Sequence, residues 1–255
     1  MAHAGVLDWA TTICTALFLM ANADKVMFAM LSAFVVNNQV RPAARKRLNA
    51  YLRVEERNHT QHELPIVAIQ VPLFNEAEVA RRVIQHVCAM SWPKHKLLIQ
   101  ILDDSTKDEC RQHVDEEVQI HRAAGINIVV LRREDRRGFK AGALNDGVLQ
   151  LPAGVKYAAI FDADFMPTST FLQDTVPFLE SDDMLAFVQT KWTYVNGKDS
   201  LLSMVQLVNL NFHHYIEQTV RSYFGWFANF CGTWRLLCLQ VDRDTAGANG
   251  FALLR

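Results

Sequence analysis

Acidic and amide side chains follow three short apolar runs, at the point where each run ends. They are Asn75 and Glu76 after the first run, Asp103 and Asp104 after the second, and Asp162 and Asp164 after a later one. Residues two apart in an extended chain point the same way, so Asp162 and Asp164 can reach one ion. Carboxylate oxygens are the ligands that hard divalent cations prefer. An Asp-x-Asp alone is also common in solvated turns, so the interpretation as a cation site depends on all three sets occurring together.

A basic run follows another apolar run. Between Arg132 and Lys140 the chain holds five cations and Gly138, which permits a tight turn. Lysine and arginine neutralise phosphate, although a charge run is also typical of a solvated face. Together with the carboxylates, the run favours a metal-bound nucleotide diphosphate, because carboxylates hold the ion and cations take the remaining phosphate charge.

Alternating apolar runs and helical stripes place these side chains. Strands are predicted at Pro65–Val71, Leu97–Leu102, Ile126–Leu131, Tyr157–Phe161 and Leu185–Thr190. The helix after the first strand is predicted to be capped by Asn75, with Glu78 as its capping-box partner. Further helices are predicted at 108–124, 140–150 and 170–179. The alternation predicts an α/β fold, a mostly parallel sheet with helices on both faces, whose ligands bind at the carboxyl ends of the strands.

Composition and missing motifs exclude several classes. The 255 residues include 26 basic and 27 acidic ones, so no strong positive field attracts nucleic acid. The sequence lacks the G-x-x-x-x-G-K-[ST], G-x-G-x-x-G, G-x-S-x-G and H-E-x-x-H motifs. We therefore expect no nucleic-acid partner and none of the common nucleotide-loop, hydrolase or zinc-protease sites.

A long apolar segment runs from Trp9 to Val36. Its length predicts one tilted transmembrane helix. Two alternatives stay open: a cleaved signal peptide, and a helix lying in the membrane interface, because Asp24 and Lys25 are costly in lipid. The basic residues that follow predict that the next domain faces the cytosol. The predicted domains are 1–40 (transmembrane helix), 41–63 (basic juxtamembrane linker) and 64–255 (globular domain).

Four ordered motifs resemble processive glycosyltransferases of family 2, in particular the cellulose synthase-like A and C groups. They are Gln70-Val-Pro-Leu-Phe-Asn-Glu76, Leu102-Asp-Asp-Ser-Thr106, Gly138-Phe-Lys-Ala-Gly-Ala-Leu144 and Ala159-Ile-Phe-Asp-Ala-Asp-Phe165. The resemblance extends from the membrane segment through Val188–Trp192 to Phe230–Thr233.

This resemblance implies a GT-A-like nucleotide-sugar-binding fold and a membrane-bound hexosyltransferase, in the Golgi, that acts in cell-wall polysaccharide synthesis. Such enzymes pass a sugar, with inversion, from a nucleotide diphosphate donor to a growing β-1,4-glycan, using Mg²⁺ or Mn²⁺. The A group makes mannan or glucomannan from GDP-mannose, and the C group makes the xyloglucan backbone from UDP-glucose. The stretch from Lys140 to Leu144 is more similar to the A group. The possibility that the protein forms a homo-oligomer stays open.

The resemblance also implies roles for nine residues. On the donor side these are Asn75 and Glu76 at the base and ribose, Asp103 at the base with Asp104 supporting it, Lys140 at the nucleotide, and Asp162 and Asp164 at the metal and diphosphate. Toward the acceptor channel they are Gln189 and Trp192.

The sequence also departs from the family. The Gly-Thr-x-Gly-Val-Trp-Arg stretch is shortened to Gly232-Thr-Trp-Arg235, and we expect no resemblance from Leu236 onward. The Thr-Glu-Asp motif that supplies the catalytic base and the Gln-x-x-Arg-Trp motif that holds the acceptor are missing. We therefore assign no catalytic base and expect a C-terminally incomplete domain, in a fragment or an aberrant gene product. A catalytically inactive donor-binding protein and a soluble nucleotidyltransferase stay open, and the membrane segment argues against the second.

Overall fold

The structure is a computed structural model that describes residues 2–37, 64–182, 185, 187–224, 226 and 235–238. Its strands are β1 (Ile66–Leu73), β2 (Leu97–Asp103), β3 (Ile128–Leu131), β4 (Val155–Ile160), β5 (Phe187–Gln189) and β6 (Arg235–Cys238). Its helices are α1 (Ala2–Ala21), α2 (Ala23–Asn37), α3 (Ala77–Cys88), α4 (Asp108–Ala123), α5 (Phe139–Leu149), α6 (Phe171–Glu180), α7 (Leu201–Asn211) and α8 (Gln218–Phe224). A π-helical turn (Phe212–Glu217) joins α7 to α8.

The chain divides into two compact units. The sheet unit comprises residues 43–190 and 232–255, and the helical unit comprises residues 1–42 and 191–231. The predicted domain boundaries stay a prediction, and the predicted linker at 41–63 lies outside the described residues.

The sheet unit holds six strands in the order β3-β2-β1-β4-β6-β5. The first four in this order run parallel, whereas β6 runs antiparallel to both of its neighbours. The predicted α/β fold with a mostly parallel sheet is confirmed, and the five predicted strands are correct to within two residues at each end. β6 was not predicted.

Helices cover both faces of the sheet, as predicted. On β1, Val67, Ile69 and Val71 are fully buried in one core with apolar residues of α3, α4 and α6. A smaller cluster on the other face joins Leu102 and Ile160 to α5. Alternate residues of a strand point to opposite faces, so each apolar run supplies two packing surfaces.

Two buried glutamines fix α5 on the sheet. Gln70 Nε2 donates to Gln100 Oε1 at 2.9 Å, and Gln100 Nε2 donates to the carbonyl oxygen of Gly147 at 3.0 Å. A Cβ at Gly147 would lie 2.6 Å from Gln70 Nε2, so glycine permits this close approach. The contacts hold α5 against β1 and β2 and so set the position of Lys140 in its first turn.

The predicted cap of α3 is wrong. The N-cap residue is Glu76, and its side chain makes no capping hydrogen bond. Asn75 has a φ of 57°, and its Oδ1 accepts from the backbone N–H groups of Thr106 and Lys107 at 2.9 and 3.1 Å. Because the amide is committed to the loop after β2, it is not available to α3.

The prediction of one continuous helix from Trp9 to Val36 is also wrong, because α1 and α2 are separate. The break is at Asn22, whose Nδ2 donates to the carbonyl oxygen of Phe18 at 2.8 Å, the oxygen that also accepts from the Asn22 backbone N–H at 3.2 Å. Among the described residues, no single helix has the length and apolar composition of a membrane span. The stretches Thr11–Met20 and Ala23–Val35, bent by 44°, meet that test only as a pair.

Candidate functional site

A cavity opens at the carboxyl ends of β1 and β4, beside the first turn of α5. Its volume is about 370 Å³. It is lined by Pro72, Leu73, Phe74, Glu76, Asp104, Arg136, Lys140, Ala143, Asp162, Ala163 and Asp164. The structure therefore brings five of the nine predicted site residues together at the predicted edge of the sheet.

Four carboxylates, those of Glu76, Asp104, Asp162 and Asp164, line this cavity together with the cations of Lys140 and Arg136. Lys140 Nζ donates to Asp162 Oδ1. Burial raises the pKa of Asp162, the hydrogen bond from Lys140 lowers it, and the nearby charge of Asp164 raises it, so the pKa lies above its ordinary value. Burial, together with the charges of Asp164 and Asp162, also raises the pKa of Glu76. The cavity thus concentrates negative charge, which Lys140 and Arg136 balance in part.

The donor set fits a hard divalent cation. Asp162 and Asp164 supply two carboxylates, although no group of three His, Cys, Asp or Glu side chains in the described part of the chain has metal-holding geometry. Mg²⁺ is usually held by one or two protein carboxylates together with substrate phosphates and water. Two aspartates beside an open cavity match this pattern.

Asp103 does not face the cavity, contrary to its predicted contact with a nucleotide base. Its side chain is fully buried. Oδ1 accepts from the backbone N–H of Ser105 at 3.0 Å, and Oδ2 accepts from Arg132 Nε at 2.8 Å. A carboxylate held on both sides in this way organises the loop after β2. Its neighbour Asp104, predicted only to support it, lines the cavity.

The basic run separates into arginines with different roles. Arg132 binds Asp103 and, through two further hydrogen bonds of 3.1 and 3.0 Å, Asp115. Arg133 donates to both oxygens of Asp104 at 3.0 and 2.5 Å, and this hydrogen bonding raises the pKa of its guanidinium. Both side chains are committed to structural ion pairs.

Arg136 instead lies in the cavity. Its guanidinium carbon is 3.3 Å from the centroid of the Phe74 ring, and its Nε is 3.9 Å from Asp104 Oδ2. The basic run was predicted to supply phosphate-binding cations, but Arg136 was not distinguished from its neighbours. Phe74 was also missed, although this residue directly follows β1.

Three predicted site residues lie elsewhere. Asn75 binds the loop after β2, and Gln189 ends β5. Trp192 belongs to the helical unit, where its ring packs edge-on against Tyr194 and His214 with centroids 5.3 and 5.8 Å apart. The described lining of the cavity includes none of them.

Glu217, one of the later carboxylates in the chain, lies in the π-helical turn. Its two oxygens pair with His213 Nδ1 and Arg221 Nε, each at 2.9 Å. Burial opposes its ionisation, but the hydrogen bonds from His213 and Arg221 outweigh burial and lower the pKa. Glu217 therefore belongs to a local ion-pair network with His213 and Arg221.

Comparison with known proteins identifies the family of the chain. A model of the family described as "Glycosyl transferase family 2" matches residues 68–245, so the expectation that the resemblance stops at Leu236 is wrong. Glucomannan 4-β-mannosyltransferase 1 from Cyamopsis tetragonoloba is 34% identical over 247 residues, covering 95% of this chain and 46% of that protein. Glucomannan 4-β-mannosyltransferase 2 from Arabidopsis thaliana is 36% identical over 240 residues, covering 92% of this chain and 44% of that protein. The chain therefore spans about half the length of the curated relatives it matches.

Among solved structures, a mannosyltransferase from Pyrobaculum calidifontis in complex with GDP-Man and Mn²⁺ has a TM-score of 0.54 at 19% identity. The match covers 82% of this chain and 56% of that one and shows a GT-A-like fold. The family match covers most of the chain, and the sheet is mostly parallel, as predicted. The chain therefore belongs to glycosyl transferase family 2.

Proposed function

We propose that this chain binds a nucleotide diphosphate sugar and supplies the donor side of an inverting hexosyl transfer. The donor is GDP-mannose, and the acceptor is a β-1,4-linked (gluco)mannan. The observation that carries this proposal is the cavity at the ends of β1 and β4, where Asp162, Asp164, Glu76 and Lys140 lie together. The names of the relatives support the choice of mannose.

Each charged group has a separate task in this proposal. Asp162 and Asp164 hold Mg²⁺ or Mn²⁺, which when bound neutralises charge on the departing nucleotide diphosphate. Lys140 provides a positive charge that is already inside the cavity, so the diphosphate meets an ordered cation. Asp104 and Glu76 lie on the β1 and β2 side, where the nucleoside is placed.

We propose, from the resemblance, that Gln189 and Trp192 each have an acceptor-side role. We also propose that the chain is attached to a Golgi membrane through α1 and α2. Large apolar side chains on these helices are exposed, including Trp9, Phe18 and Met30. Exposed apolar surface of this extent is typical of lipid or protein contact. The bent pair of helices has the composition of a span. The Golgi rests on the resemblance alone.

The test is calorimetric titration of the full chain in detergent with GDP-mannose and UDP-glucose, each with and without Mn²⁺. We expect metal-dependent binding of GDP-mannose. Asp164→Asn should weaken it at least about tenfold, since loss of groups that support a bound metal lowers affinity by about 10- to 100-fold. Asp199→Asn, at an exposed aspartate of the helical unit, is the matched control and should bind as the wild type does.

Binding that ignores Mn²⁺, or that survives Asp164→Asn unchanged, would contradict the assigned metal site. Preferential binding of UDP-glucose would show that the donor sugar is glucose and not mannose, and it would leave the proposed donor site unchanged. A folded chain that binds neither nucleotide sugar would overturn the proposed function.

A further inference from the structure

Arg136 combines two features that its neighbours in the basic run lack. It lines the cavity, and its buried Nε makes no hydrogen bond in the described structure. Arg132 and Arg133, in contrast, are hydrogen-bonded to buried carboxylates. The Arg136 side chain is held by contacts with the rings of Phe74 and Phe139 and by the charge of Asp104, and not by a hydrogen bond from Nε.

The ring of Phe74 offers a flat surface to the cavity. Phe74 is 37% exposed, and the Arg136 guanidinium lies 3.3 Å from its centroid. A planar cation at this separation occupies the space in which an aromatic base stacks on such a ring. A nucleobase entering the cavity would therefore displace the guanidinium from the ring face toward the edge of the base.

The polar groups at that edge are complementary to guanine. Arginine donates two hydrogen bonds to O6 and N7 of guanine, which no pair of acceptors on uracil reproduces. The carboxylate of Asp104 lies 3.9 Å from Arg136 Nε, and carboxylate oxygens can accept more than one hydrogen bond each. The guanidinium of Arg136 can donate two hydrogen bonds, and the carboxylate of Asp104 beside it can accept others. This pair matches guanine, a base that presents adjacent acceptors and N–H groups.

We propose that Arg136 and Phe74 read the nucleobase of the donor. The base stacks on Phe74, and Arg136, moved aside from the ring, binds O6 and N7 of guanine. This inference rests on the proposed function, because it assumes that the cavity takes a nucleotide diphosphate. It makes Arg136 the residue that selects GDP over UDP.

The experiment is calorimetric titration of the full chain with GDP and with UDP in the presence of Mn²⁺. Arg136→Ala should weaken GDP binding about tenfold or more, the effect of losing a bidentate contact, and change UDP binding less than about twofold. Arg136→Lys should lose the GDP preference as well, because lysine keeps the charge without the fork. Arg137→Ala, at the adjacent exposed arginine, is the matched control and should leave both affinities unchanged.

Phe74→Leu provides a second, independent variant. It should weaken GDP and UDP by similar factors, because stacking on an aromatic ring tolerates any base. If Arg136→Ala weakens GDP and UDP equally, Arg136 is a phosphate contact and the inference is wrong. A wild-type preference for UDP would also overturn it while leaving the donor site intact. Binding of neither nucleotide would remove the proposed function itself.

Discussion

Arg133 connects the end of β2 to the start of α5 at the scale of single residues. Its guanidinium donates to Asp104 and to the carbonyl oxygens of Arg137 and Phe139, at 2.9 and 3.0 Å. The Arg133 side chain is 13% exposed and that of Asp104 is 5% exposed. Charged groups buried to this degree depend on each other, since neither finds enough water to replace its partner.

We expect Arg133→Ala to lower the free energy of unfolding of the sheet unit by about 3–5 kcal/mol, because it leaves the Asp104 carboxylate buried without its partner. Urea unfolding, followed by hydrogen exchange in β1 and β2, measures the change. Arg137→Ala is the control at the neighbouring exposed arginine and should cost less than about 0.5 kcal/mol. A loss below about 1 kcal/mol in Arg133→Ala would show that water replaces the guanidinium.

At the scale of elements, the loop before α5 passes unusually close to the helix. A Cβ at Gly142 would lie 2.0 Å from the carbonyl oxygen of Arg137 and 2.6 Å from Arg133 Nη1. Gly138, with a φ of 73°, begins the helix in the left-handed region that favours glycine. Two glycines therefore allow the basic run to fold back on the first turn of α5, where Arg136 and Lys140 enter the cavity.

Gly142→Ala should destabilise the sheet unit by about 1–3 kcal/mol, because a methyl group in contact with backbone forces the loop to shift. The same shift should weaken nucleotide binding, since it displaces Arg136 and Lys140 together. Leu149→Ala, at an exposed position near the end of α5, is the control. If a destabilised Gly142→Ala variant keeps its nucleotide affinity, the position of the loop does not determine nucleotide binding.

Apolar runs of four to eight residues were enough to predict β1 to β5, because a strand buried on both faces has no other sequence signature. The four-residue β6 could not be found in the same way, since it runs antiparallel and lies far along the chain from β4 and β5. The break between α1 and α2 was missed because the polar residues Asn22, Asp24 and Lys25 were taken as interruptions within one apolar run.

The same limit applies to the site: the order of residues along the chain can be read from the sequence, but ion pairs between distant residues cannot. Strand ends predicted that Glu76, Asp104, Asp162 and Asp164 share one edge, and these residues line one cavity together with Lys140 of the basic run, since parallel strands finish at one edge. Which aspartate of a neighbouring pair faces the cavity depends on ion pairs with arginines about thirty residues away. That partnership has no local pattern in the sequence, so Asp103 was assigned the wrong environment.

At the scale of the whole molecule, the two units differ in the surface that they present. The sheet unit buries Ile69, Ile99 and their neighbours completely. The helical unit exposes apolar side chains on α7, with Leu201 79% and Val208 67% exposed, as well as on α1 and α2. The proposed donor site therefore belongs to the unit with a closed apolar core, and the apolar surface that we propose contacts a membrane belongs to the other.

Donor binding should stabilise the sheet unit through mass action. A ligand that binds only the folded state adds about 2.7 kcal/mol to the free energy of unfolding at 100 times its dissociation constant. With GDP-mannose and Mn²⁺ at that concentration, we expect slower amide hydrogen exchange in β1 and β4, which end at the cavity. Chelation of the metal by EDTA should reverse the protection, and Asp164→Asn should show little of it at the same donor concentration. Protection that persists in EDTA, or that is equal in Asp164→Asn, would mean that the nucleotide sugar binds outside the cavity of Asp162 and Asp164.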